Sequence, residues 1–173
     1  MKRLFKLTVF LLALTLSASL LVSCKTDSDD DDDDYGSVSP YLPEEFSGKT
    51  VAALYVCEET YENEYDEEEN LYFSGKSVDS FYFFTDNSWV ETLSVSDVDS
   101  NGKTYSGNRA EEKGTFTKTG DYTNGTLNLT TTHYTDYSEG VNDTWLEEEG
   151  SGLSTVTVSN GVFSLHGLTY TKR

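Results

Sequence analysis

Beyond residue 48 the chain alternates apolar and polar positions in short runs separated by Gly, Asn, Asp and Ser. A period of two bounded by turn residues describes half-buried strands. Lys49 to Cys57 reads as a first strand. Ser77 to Phe84 and Trp89 to Val95 flank Thr85-Asp86-Asn87-Ser88, a turn sequence. A hairpin centred on Asp86-Asn87 pairs Phe84 with Trp89, Phe83 with Val90 and Tyr82 with Glu91. Aromatic cross-strand pairs of this kind stabilise a sheet by roughly 0.2–1 kcal/mol each. That register sets Phe81 and Phe83 on one face with Val90 and Thr92, and Tyr82, Phe84, Trp89, Glu91 and Leu93 on the other. Both faces are too apolar for one to be plainly solvated. Either an extra layer covers the outer one, or it is a recognition surface. The expectation is that one row is solvent-accessible or lines a cavity.

Two further hairpins follow. Gly114 to Lys118 and Thr126 to Tyr134 are joined through Asn124-Gly125, and Leu153 to Ser159 and Val162 to Leu165 through Asn160-Gly161. Asn-Gly favours a type I′ turn, which needs two residues at positive φ. The last hairpin places Val156, Val158, Phe163 and Leu165 on one face, with Thr157, Ser159, Val162 and Ser164 on the other. Leu168 to Thr171 is a short final strand, and nothing has a helical period. Glu58 to Asn70 and Tyr134 to Gly152 are weaker stretches, each a ragged strand pair with an exposed tip or a long loop. A meander of seven to nine strands closes into a barrel or folds into a sandwich.

The first 47 residues have a different character. Lys2, Arg3 and Lys6 precede an apolar run from Leu7 to Leu16, and Leu21-Val22-Ser23-Cys24 closes the segment. This is the layout of a secretory signal, too short and wrongly flanked for a spanning helix. Lys25 to Gly36 contains Asp27 and the run Asp29 to Asp34, a self-repelling block that reads as an extended, disordered spacer. Ser37 to Phe46 holds both prolines, Pro40 and Pro43, and reads as an extended lead-in. The expected organisation is therefore residues 1–23 as signal, 24–47 as tether and 48–173 as one β domain.

Charge narrows the partners. The first 23 residues hold three of the 12 basic residues and no acid, so the remainder carries nine basic against 31 acidic residues, a net charge of −22. Such a field repels nucleic acid and anionic headgroups, while it favours solubility and cationic partners. Beyond Cys24 only Cys57 remains, so the chain past the signal has no second strand cysteine with which to pair. Cys57 reads as a small apolar residue in a strand.

Few constellations carry chemistry. Glu111-Glu112 and Glu147-Glu148-Glu149 read as solvated charge, and His133 and His166 lack metal-ligand neighbours at useful spacing. The sequence contains no nucleophile elbow, phosphate-binding loop, dinucleotide fingerprint or EF-hand loop. The reading is therefore non-enzymatic, with no cofactor and no metal. The aromatic residues of the first hairpin, Phe81, Tyr82, Phe83, Phe84 and Trp89, are the candidate ligand-binding group, against the alternative that they fill the core.

Leu21-Val22-Ser23-Cys24 resembles the lipobox of bacterial lipoproteins. The resemblance implies cleavage before Cys24, diacylglycerol and palmitate-type chains on that residue, and a place outside the cytoplasm, at the outer membrane or cell surface of a diderm bacterium. The stretches Phe81 to Thr92, Gly114 to Thr117, Tyr122 to Leu127 and Val158 to Leu165, with Gly167 and Tyr170, resemble bacterial lipoproteins with a lipocalin-like domain. That resemblance spans residues 48–173 and implies an antiparallel up-and-down β-barrel of about eight strands. The functional expectation is a lipid-anchored barrel that binds a small hydrophobic or amphipathic ligand or a protein partner. Its rival is a structural or host-interaction surface protein with a packed barrel. The sequence leaves the oligomeric state open.

Overall fold

A computed structural model describes residues 38–66, 70–137, 143–146 and 152–173. The signal segment, Cys24 and the aspartate run lie outside the described residues. The chain forms an all-β, antiparallel up-and-down barrel of the lipocalin-like kind, nearly closed. A 3₁₀ turn at Glu44–Phe46 precedes nine strands: β1 (Val51–Asp66), β2 (Leu71–Phe84), β3 (Ser88–Asp99), β4 (Thr104–Gly120), β5 (Gly125–Asp136), β6 (Asp143–Leu146), β7 (Leu153–Val158), β8 (Val162–Leu165) and β9 (Leu168–Lys172). Strands β6 and β7 share one edge of β5, β6 along His133 to Asp136 and β7 along Gly125 to Thr130, so the wall has eight positions. β9 returns to β1 through Tyr55↔Lys172 and Val56↔Thr171. The return of β9 to β1 pairs most of the sheet edges that would otherwise template aggregation.

The turn and the inward face of the last hairpin form as the residues predict, but its two strands share only the Ser159↔Val162 bridge, β7 pairing with β5 and β8 with β9. Asn160 and Gly161 adopt φ of 53° and 77°, and Ser159 and Val162 exchange both backbone hydrogen bonds. Val156, Val158 and Phe163 are buried inside the barrel, and Leu165 packs beside them. Of Glu58 to Asn70, Glu58 to Asp66 form the end of β1, paired with the start of β2 at Leu71, and residues 67–69 lie outside the described residues.

The Asn124-Gly125 turn is different. β4 and β5 pair up to Gly120↔Gly125, which leaves a four-residue loop from Asp121 to Asn124, entered through Gly120 at a positive φ of 81°. The Asp121 carboxylate accepts hydrogen bonds from the Thr123 and Asn124 amides and so organises the loop. Gly125 is required for space: a Cβ there would meet the Thr119 and Asp121 carbonyl oxygens at 2.4 and 2.6 Å. Asn124 instead uses its side chain to receive the Asn160 amide at 3.0 Å, tying two turns together.

The first aromatic hairpin is shifted by one residue from its sequence-based register. Phe83 pairs with Trp89, Tyr82 with Val90 and Phe81 with Glu91. Asn87 is the cause. It adopts φ 65°, its amide bonds the Phe84 carbonyl, and the Asp86 carboxylate accepts from the Ser88 amide and hydroxyl. The result is a three-residue loop with a left-handed closing residue, a standard alternative to the two-residue turn. A one-residue slip moves every side chain of a strand to the other face. Trp89 and Glu91 therefore join Phe81 and Phe83 inside the barrel, while Val90 and Thr92 join Tyr82 and Phe84 outside.

Neither row is left in water. The outer row is covered by the segment before β1, which packs on the wall instead of running free as an extended lead-in. Leu42 and Phe46 pack on Tyr82, Phe84, Val90 and Leu54. The Thr92 hydroxyl donates to the Tyr41 carbonyl at 2.9 Å, and Lys113 reaches Glu45 at 2.5 Å. Pro43 opens the 3₁₀ turn at φ −57°, a value its ring enforces. Residues 41–46 thus form a packed strap.

Candidate functional site

The barrel interior is layered along its axis. Its floor is aromatic. Phe81 lies parallel to Phe83 and Trp89 at centroid distances of 6.1 and 5.7 Å, and meets Phe163 and Tyr170 edge-on at 5.6 and 5.0 Å. Tyr55 and Phe116 each meet Phe83 edge-on. These offset and edge contacts are the favourable geometries of ring quadrupoles. The polar handles are also satisfied: Trp89 Nε1 donates to the Thr115 carbonyl at 3.0 Å, and the Tyr55 hydroxyl donates to the Tyr122 carbonyl. Phe81 and Phe83 have no exposed surface.

One step toward the β1–β2 turn the lining becomes acidic. Asp79 follows Phe81 on the inward face of β2, and Glu91 follows Trp89 on that of β3. The Tyr170 hydroxyl lies 3.0 Å from Asp79 Oδ2 and 3.5 Å from Glu91 Oε1. One tyrosine hydroxyl thus stands between the two carboxyl groups, and Asp79 Oδ1 is buried with no hydrogen-bond partner. Burial, chiefly, pushes Asp79 up to about 7. Burial and then the Asp79 charge hold Glu91 well above the ordinary glutamate range, with Glu112 adding to the effect. Burial and the same two acids raise Tyr170. Glu59 is raised by burial and Glu64, and Glu112 accepts a hydrogen bond from Thr131 Oγ1 at 2.5 Å. Buried like charges favour the neutral form of one partner.

A third layer lies farther along β3. Tyr61 donates to Asp97 Oδ2 at 2.8 Å, and Arg109 Nη2 stands 3.9 Å from the same oxygen. The Arg109 guanidinium is 5.0 Å from the Tyr105 ring centroid and 5.9 Å from that of Phe73. β1 to β4 extend past the short β8 and β9 at this end. The acid and tyrosine layers therefore lie on the tall side of the barrel.

The five aromatic residues expected to meet a ligand are split by the wall. Phe81, Phe83 and Trp89 form the floor, and Tyr82 and Phe84 lie outside beneath the strap. Asp79, Glu91 and Tyr170 were not singled out from sequence. For Asp79 the available signal was a charge whose alternation with Phe81 and Phe83 puts it on their face, whereas Glu91 joined that face only through the one-residue register shift. Glu111 and Glu112 are also less solvated than their sequence implied, Glu111 being buried beside Lys113. Among the described residues no group of three or more His, Cys, Asp and Glu side chains is arranged to hold a metal ion. The raised carboxyl pair can hold and release a proton, and it can accept hydrogen bonds from a positively charged group. No protein-family model matches the chain, and no curated protein or solved structure matches it.

Proposed function

We propose that this chain is a non-catalytic lipoprotein, anchored through lipid on Cys24 outside the cytoplasm, whose barrel binds a small amphipathic molecule. The observation that supports this reading is the acid layer directly above an aromatic floor. Asp79, Glu91, Glu59 and Glu112 offer an anionic lining, with the Tyr61, Tyr105 and Phe73 rings farther along the tall side. Concave sites that combine aromatic walls with a few placed polar groups are the usual form of small-molecule sites. A ligand with an apolar body and a cationic head suits this lining better than a fatty acid, whose carboxylate meets like charge. Each buried lipid CH₂ on Cys24 contributes about 0.8 kcal/mol, so the anchor holds the domain durably at a bilayer.

The test is calorimetric titration of the Cys24→Ser chain with a long-chain alkylamine and with the fatty acid of equal length. The expected result is saturable binding of the amine and none of the acid. Binding of neither, together with native mass spectra free of any small molecule, overturns the ligand reading. The second reading then stands: a structural or host-interaction surface protein with a packed barrel. It draws support from the completely buried rings of Tyr55, Phe81 and Phe83.

A further inference from the structure

Asp79, Glu91 and Tyr170 come from three strands and meet inside the barrel. Their donors do not match their acceptors. Tyr170 brings one O–H, which lies nearer Asp79 than Glu91. Ionised carboxylates only accept. With both acids charged, that O–H is the one donor the three side chains bring to two carboxylates, and Asp79 Oδ1 is already buried without a partner. A proton carried on one carboxyl supplies the missing donor. The titratable groups that act on the pair from the surrounding strands are Cys57 and Glu59 of β1, Glu112 of β4 and Tyr170 of β9, none of them cationic at neutral pH.

The location gives this proton a structural consequence. β9 has five residues and is joined to β1 at Tyr55↔Lys172 and Val56↔Thr171, whereas β1 and β2 pair from Val51 to Asp66. Tyr170 is the side chain that carries β9 across the interior, stacked on Phe163 at 4.9 Å and edge-on to Phe81. We propose that Asp79, Glu91 and Tyr170 form a proton-held clamp: one proton shared between the two carboxyl groups, with the Tyr170 hydroxyl, closes β9 onto β2 and β3, and release of that proton to solvent loosens this seam. The clamp is a property of the ligand-free barrel and does not depend on what the barrel binds.

The sign follows from linkage. A carboxyl whose folded pKa exceeds its unfolded one contributes stability that is complete below the unfolded pKa and is lost as pH rises through the folded value. Asp79 ionises first, near 7, and the pair's last proton leaves only at the higher value of Glu91, which burial and the Asp79 charge hold well above the ordinary glutamate range. The clamp is therefore closed in mildly acidic medium and released on the alkaline side of neutrality.

Two measurements on the full chain in non-ionic detergent test it. Infrared difference spectra across the titration should show a protonated-carboxyl band at pH 6 that disappears by pH 9. Hydrogen-exchange protection factors of the β9 amides should fall over the same interval, while those of β3 stay level. Asp79→Asn keeps the shape and supplies an amide donor to Glu91, so it should retain β9 protection to pH 9. Absence of the band in the wild-type chain at pH 6 overturns the proposal without recourse to any variant. So does β9 protection that is level with pH, or an Asp79→Asn profile that falls like the wild type.

Discussion

Phe46 lies flat on Phe84, with ring centroids 5.2 Å apart and planes 13° from parallel. This contact joins the strap before β1 to the outer wall of the barrel. Lys49 Nζ stands 5.2 Å from the Phe46 centroid and 5.6 Å from that of Phe84, and it also donates to Asp86 and Ser88. The strap, the start of β1 and the β2–β3 turn are thereby one packed unit.

Phe46→Ala removes a ring that is almost wholly buried and uncovers Phe84 and Tyr82. Truncation of a buried Phe typically costs about 3–5 kcal/mol, and a site at the edge of the core should fall near the lower end. Glu45→Ala removes only an exposed partner of Lys113, a loss of about 1 kcal/mol or less. Urea unfolding of both variants checks the order. A Phe46→Ala loss no larger than that of Glu45→Ala would show that the strap does not hold the outer face.

Gly161→Val places a branched side chain at φ 77°, where its Cβ would also stand 3.4 Å from that of Lys172. Strain of this kind costs on the order of 1–3 kcal/mol. Ser159→Thr, on the exposed side of the same hairpin, should cost less. Thermal unfolding of the pair decides the matter, and equal effects would remove the type I′ assignment.

Cys57 is half-buried, and burial followed by the Glu59 charge pushes its thiol up to about 11. The thiolate is the reactive species, so at pH 8 its alkylation should be about a hundredfold slower than that of an ordinary thiol. Unfolding in urea should abolish the difference. Equal rates in the folded and unfolded chain would place Cys57 in water.

Cys24→Ser should abolish both radiolabelled-lipid incorporation and pelleting with membranes. A serine variant that is still labelled and still pelleted would refute the lipid anchor.

Local chemistry was legible in the residues themselves. Alternation of apolar and polar positions gave the strands, and closure of a long meander gave the barrel. Asn160-Gly161 gave a turn whose geometry two residues alone can set. Three matters depended on contacts that no local pattern encodes. The register of β2 and β3 turned on whether Asn87 or the Asp86-Asn87 pair closes the loop, and with a side-chain period of two that choice assigned Trp89 and Glu91 to the interior. The strap became structure because Phe46 found Phe84, 38 positions further along the chain. Asp79 and Tyr170 are separated by 91 positions. Their meeting exists only once β9 has returned to β1, because the burial that raises both groups is created by the closed barrel and is absent from any single strand.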